Sequence, residues 1–220
     1  MITTLLAAVS GISSYLPHLI SQFGNGFYLI LFLLIFCETG VVFLPFLPGD
    51  SLLFLCGSFA AIANYHLNIW TLLIILIIAA FLGDNTNFWI GQKFGNHILN
   101  HPRWRKLIKR ENLEKANHFF EKYGSLAIFL GRFIPIIRTI IPFTAGIGEM
   151  PRKKFRIFNL IGGITWVTVA LMCGFFFGNI PFVKDHIELI MLMIVVISLI
   201  PVVITFIMQR KKGSSMNEEE

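Results

Sequence analysis

The sequence has 220 residues, of which 55% are apolar and only 14% are charged, and its mean hydropathy is +0.74. A soluble domain is about 45–50% apolar and about 25% charged, so this composition describes a membrane protein and excludes disorder or a separate soluble catalytic domain. The formal charge of +6 is not a nucleic-acid signature: no Lys or Arg precedes Lys93, and the basic clusters at Lys93–Lys122, Arg152–Arg156 and Arg210–Lys212 each abut an apolar segment, as cytoplasmic loops of membrane proteins do.

In chain order, residues 1–26 read as an interfacial segment. Residues 1 to 15 carry no basic side chain and no cleavage site, so the chain is expected to insert intact. Residues 27–63 exceed the roughly 20 residues of a simple crossing. They are broken by Pro45 and by Pro48-Gly49, a turn signal in which Pro fixes its own φ and Gly takes the positive φ that follows. They are read as a re-entrant hairpin. Asp50-Ser51 would then cap the returning half-helix. Residues 67–92 predict a transmembrane helix. Residues 103–123 form a cytoplasmic amphipathic segment, with Leu113, Ala116, Phe119, Phe120 and Tyr123 at helical spacing opposite Lys115 and Lys122.

Residues 125–150 are apolar but contain Arg132 and Arg138 and are interrupted by Pro135, Pro142 and Gly146. A full crossing here would put the basic clusters before and after it on opposite sides, against the charge rule. A second re-entrant hairpin removes the conflict. Residues 157–178 and 187–209 predict transmembrane helices, and residues 211–220 a flexible cytoplasmic tail. The expected fold is thus an all-α integral membrane protein with a single polytopic domain over residues 1–210. It comprises two inverted units of interfacial helix, re-entrant hairpin and transmembrane helix, plus a final transmembrane helix, a layout used by many secondary transporters. The alternative is an ordinary bundle in which 27–63 makes two kinked spans.

A charge near the bilayer centre costs about 2.5–3.5 kcal/mol on insertion scales. Glu38 and Asp50 on one hairpin, with Arg132 and Arg138 on the other, must therefore be paired, hydrated or used. A buried ion pair is a poor source of stability compared with apolar packing, so retaining four charges points to work. A guanidinium fork matches a phosphate bidentately, and a carboxylate out of water can exchange a proton during a cycle. Glu38 and Asp50 are the candidates for proton coupling, and Arg132 and Arg138 for binding a substrate phosphate. Asp84, in GDNTNFWIGQKFG, is a further proton-handling candidate, although Gly83, Asn87, Gly91 and Gly95 at four-residue intervals equally describe a close-packing face. Gly174 and Gly178 repeat that spacing. No metal site, disulfide framework or cofactor is expected: Cys37, Cys56 and Cys173 lie in apolar runs, and no histidine pairs with an acid or cysteine at ligand spacing.

The run GRFIPIIRTIIPFTAG, with Gly131, Arg132, Phe133, Pro135, Arg138, Thr139, Pro142, Ala145 and Gly146, together with Glu38 and FLPGDSLL around Pro48, Gly49 and Asp50, resembles the DedA family of bacterial inner-membrane proteins. The resemblance implies a lipid transporter that returns undecaprenyl phosphate to the cytoplasmic leaflet in dependence on the proton-motive force, with distant eukaryotic relatives that scramble phospholipids. It also implies that Glu38, Asp50, Arg132 and Arg138 are essential. The implied partners are the bilayer and a polyprenyl phosphate or phospholipid, with protons as the coupling ion and no nucleic acid. A monomer and a homodimer both fit the sequence. Two other function classes compete: a membrane-embedded lipid phosphatase, which would need a nucleophile and a general acid beside the arginines, and a structural membrane-organising protein.

Overall fold

A computed structural model describes residues 23–40, 49–62, 67–100 and 110–180, all organised as helices and short turns. Seven helices lie within them: α1 (Gly26–Gly40), α2 (Gly49–Ala61), α3 (Ile69–Asn100), α4 (Arg110–Tyr123), α5 (Leu126–Gly131), α6 (Pro135–Ile147) and α7 (Arg152–Gly178). Residues 1–22 of the interfacial segment, Pro45 and Pro48 of the first turn, residues 103–109, the span 187–209 and the tail 211–220 lie outside the described residues.

Local chemistry sets several helix ends. The Asn68 side-chain oxygen accepts from the amides of Trp70 and Thr71 at 2.9 and 3.1 Å, capping α3. Gly124, at φ +55°, ends α4, and its N–H bonds the Phe120 carbonyl at 2.7 Å. Pro135 opens α6, where a missing amide costs nothing.

Three expected boundaries shift. The apolar run ends at 92, but QKFGNHILN contains no proline and α3 continues to Asn100. α7 starts at Arg152 rather than 157, because Pro151 precedes a run of good helix formers, RKKF. α6 runs through Pro142 and Gly146 instead of breaking there, although Pro142 has no N–H to return to the Arg138 carbonyl.

Among the described residues, Ile69–Gly95 and Arg152–Gly178 are long and apolar enough to cross a membrane. Only 33% of each apolar window is buried inside the protein, unlike the core helix of a soluble fold. The outward faces carry Trp70, Ile74, Ile78 and Leu82 on α3, and Leu160, Ile164, Val169 and Phe176 on α7. At 1.5 Å per residue, α1, α2 and α6 are each only about 20–23 Å long, short of a hydrocarbon core of about 30 Å.

The packing is crosswise. α1 lies against α3, and α5 against α7, but the second helix of each broken pair crosses to the other half: α2 packs on α7 and α6 on α3. Both crossings are backbone-close. A side chain at Gly57 would strike the Leu171 carbonyl, and one at Gly174 the Phe54 carbonyl. At the other crossing, Gly91 faces the Phe143 carbonyl and Gly146 the Phe88 carbonyl. The glycine spacing on α3 and α7 is therefore a close-packing device, reinforced by the Ser58 hydroxyl donating to the Gly174 carbonyl at 3.0 Å.

Two apolar clusters result. One gathers Phe27, Leu31, Ile35, Leu53, Phe59, Leu72, Leu76, Val167 and Leu171. The other gathers Phe88, Ala116, Ala127, Ile128, Ile141 and Phe155. On α3 the interval between them holds Asp84, and on α7 it holds Asn159.

Candidate functional site

The charges sit where helices stop and start. Glu38 is in the last turn of α1 and Asp50 in the first turn of α2. Arg132 immediately follows α5, and Arg138 lies in the first turn of α6. Because the second helices cross over, these breaks converge between the two apolar clusters.

Arg138 is the hub of one group. Its Nη2 donates to Glu38 Oε1 at 2.5 Å and its Nη1 to Asp50 Oδ1 at 2.7 Å. The Glu38 carboxylate is buried, whereas the Asp50 side chain is 49% exposed, so this group opens at Asp50. Glu38 Oε1 also accepts the Gly49 amide at 3.2 Å. That corrects the part of the expected cap given to Asp50: Glu38 of the preceding helix holds the Gly49 amide at the start of α2, while Asp50 turns away to Arg138 and to the indole N–H of Trp166, which donates to Asp50 Oδ1 at 2.7 Å.

Arg132 forms a second group with a partner of its own. It is ion-paired with Asp84, both side chains being buried, and its Nη2 donates to Asn159 Oδ1 at 3.1 Å. Asp84 therefore belongs with the other four charges even though the glycines around it pack. Asn87, one turn on, donates to the carbonyls of Thr39 at 3.2 Å and Thr139 at 2.8 Å, tying both broken pairs to α3.

Trp166 joins the two groups. The guanidinium carbons of Arg132 and Arg138 lie 5.7 and 5.3 Å from its ring centroid, within cation–π range. Glu38, Asp84, both arginines, Thr139 and Trp166 also surround a small cavity with about 10 Å³ of space for a water centre, enough for about one water. On residues that line it, Glu38 Oε2, Arg132 Nη1 and Thr139 Oγ1 are buried without a hydrogen-bond partner among the described residues, an unusual concentration of unsatisfied polar atoms. Three carboxylates face two guanidiniums, so one added proton makes the cluster neutral.

The other residues that the sequence singles out have different placements. Gly49 opens α2, Pro135 opens α6, Pro142 is inside α6, and Gly146 lies at its crossing with α3. Sequence reasoning singles out neither Asn159 nor Trp166. A Trp in an apolar run has no signature that separates a charge-contacting ring from a lipid-facing one.

The VTT domain matches residues 47–176, more than half of the chain. Protein DedA of Escherichia coli K12 is 41% identical over 214 residues, which is 97% of each chain. The chain belongs to the DedA family. Inner membrane protein YghB of Escherichia coli K12 is 36% identical over 186 residues, 84% of this chain and 82% of that one. An uncharacterized membrane protein of Mycobacterium tuberculosis H37Rv is 36% identical over 183 residues, 83% and 80% of the two chains. No solved structure matches. In this DedA-family chain the matched VTT region holds Asp50, Asp84, Arg132 and Arg138 together with Asn159 and Trp166, and Glu38 lies just before it.

Proposed function

We propose that this protein carries an anionic lipid, undecaprenyl phosphate, between the leaflets of the inner membrane and draws on the proton-motive force to do so. The observation that carries the reading is the gathering of three carboxylates and two guanidiniums, at helix breaks, between two apolar clusters. A charged cluster at that depth is costly, and its two halves suit two tasks. Arg138, held by the partly exposed Asp50, can exchange that carboxylate for a phosphate, a bidentate partner of the same charge sign. Glu38 or Asp50, once released, takes up a proton and keeps the site near neutrality. Arg132, more deeply set with Asp84 and Asn159, orients the incoming phosphate through Trp166 and the cavity.

The same reading makes both broken pairs re-entrant and the two halves inverted in the membrane, with the C-terminus cytoplasmic. Helices of about 20 Å that meet at their breaks support it, as does the exchange of second helices between halves. In a background lacking the native cysteines, single cysteines at Lys122 and Arg152 should both be labelled from the cytoplasmic side only. Opposite-sided labelling would remove the inverted arrangement.

The function is tested in vesicles carrying fluorescent polyprenyl phosphate, or fluorescent phospholipid, in one leaflet, with and without a pH gradient. Gradient-dependent movement of the polyprenyl phosphate is expected. Gradient-independent movement of both would indicate a less selective scramblase, and movement of neither would sink the transport reading. A phosphatase would instead release inorganic phosphate from the same vesicles.

A further inference from the structure

A second polar site lies outside the central cluster. Between the Leu82–Gln92 stretch of α3 and the first two turns of α7 runs an open groove of about 280 Å³. Arg152 and Arg156 line one wall, Thr86, Trp89 and Gln92 the other, and among the described residues no acidic side chain lines it. Gln92 Oε1 accepts from Arg152 Nε at 3.0 Å, a bond that links the two walls. Lys93 stands beside it, Nζ 4.9 Å from the centroid of the Trp89 ring.

The rest of the groove is built for something apolar. Trp89 and Leu82 are each 43% exposed, and Ile78 continues their face along α3. On α7, successive turns carry Arg152, Arg156, Leu160 and Ile164, all exposed. Both helices thus pass from cationic to aliphatic in the same direction away from the groove. The groove also adjoins the central cluster. Asn85 and Thr86 face it while Asp84 and Asn87, on the same turn of α3, face inward. The seam between is closed by Asn159 Nδ2 donating to the Phe81 carbonyl at 3.3 Å, and the same Asn159 holds Arg132.

We propose that this groove is a loading site for a phosphate-bearing lipid, with the phosphate on Arg152 and Arg156, the first part of the chain on Trp89, and the remainder along Leu82, Ile78, Leu160 and Ile164. Charge complementarity selects an anionic head group, and the exposed aliphatic track selects a lipid over a free anion. Its place as the way into the central cluster rests on the transport reading, whereas the binding itself does not.

The test uses the purified full-length protein in detergent and a polyprenyl phosphate bearing a diazirine next to the phosphate, with cross-links mapped by peptide mass spectrometry. Cross-links should fall on residues 82–92 and 152–164. Arg152→Gln with Arg156→Gln should reduce them about tenfold, the loss expected for charge-assisted contacts. Thr86→Trp, which fills the groove without changing charge, should reduce them as well. Unlabelled polyprenyl phosphate should compete, and neither inorganic phosphate nor polyprenol should do so at the same concentration. Equal cross-linking in both variants, labelling confined to the central cluster, or full competition by inorganic phosphate would overturn the site. Groove labelling without lipid movement in vesicles would retain the site while removing transport, and movement that survives both groove variants would do the reverse.

Discussion

Replacing Asp84 with Asn tests the buried pair directly. The partners are 6% and 7% exposed, so the change leaves the buried Arg132 charge without its paired carboxylate, its direct contacts among the described residues then including Asn159 and the Trp166 ring. Removing one member of a buried pair costs about 3–5 kcal/mol. Asn keeps the shape and one acceptor, which favours the lower end. At about 2–4 °C per kcal/mol for a chain of this size, the melting temperature should fall by about 6–12 °C. The double variant Asp84→Leu with Arg132→Met removes both charges together and should recover most of that loss, since apolar replacement of a buried pair is nearly neutral. Intrinsic tryptophan fluorescence during thermal unfolding in detergent reads these together with the single variants Asp84→Leu and Arg132→Met, and a coupling of at least about 2 kcal/mol is expected for groups in direct contact. Losses that simply add across the double variant would refute the pairing. If the folded double variant moved lipid at the wild-type rate, the pair would be structural and the role given to Arg132 would be wrong.

Glu38→Gln and Asp50→Asn should each abolish the response of lipid movement to a pH gradient in vesicles, and Asp50→Asn should destabilise far less than Asp84→Asn, because its side chain is 49% exposed. Arg138→Lys should bind polyprenyl phosphate about tenfold or more weakly in a detergent binding assay, since Lys loses the bidentate fork; equal binding of polyprenyl phosphate and polyprenol by the wild type would rule out phosphate recognition. Trp166→Phe should keep the fold but lose the bond to Asp50, lowering the transport rate with little change in melting temperature. Gly174→Leu should drive α2 from α7 and fail to give a monodisperse protein, whereas Val169→Leu, on the outward face of α7, should be silent.

The sequence exposes the charges more readily than their partners. Glu38, Asp50, Arg132 and Arg138 stand out because ionisable groups are rare in apolar runs and each demands an explanation. Which carboxylate meets which guanidinium is a tertiary fact: Arg132 reaches Asp84 only because α5 lies on α7 and α7 meets α3 there. Asp84 is harder to single out because the surrounding glycines explain that stretch by packing alone, and both explanations hold. Pro142 and Gly146 look like interruptions because propensity reads each residue in isolation, while α6 gains its stability from packing on α3. The cap expected of Asp50 fails for a related reason. A distant Glu38 supplies the acceptor, and Asp50 finds stronger partners in Arg138 and Trp166.

The crosswise pairing has a consequence for how the chain is made. α2 ends at Ala61, yet the surface it packs on is α7, which is complete only at Gly178. At about 5–20 residues per second, the ribosome needs roughly 6–23 seconds to bridge that interval. Until Arg132 is made, roughly 4–14 seconds into that interval, the nascent first half has neither arginine, so Glu38 and Asp50 enter the bilayer without the countercharges of the finished protein. Glu38 has the Gly49 amide of the helix that follows its own; Asp50 has no such local substitute among its described partners, which are Arg138 and Trp166. The half-made protein is therefore expected to be the species that insertion and quality-control machinery handles. A chain stopped after residue 124, before either arginine, should be degraded in cells, and Asp50→Asn should lengthen its lifetime in a pulse-chase experiment.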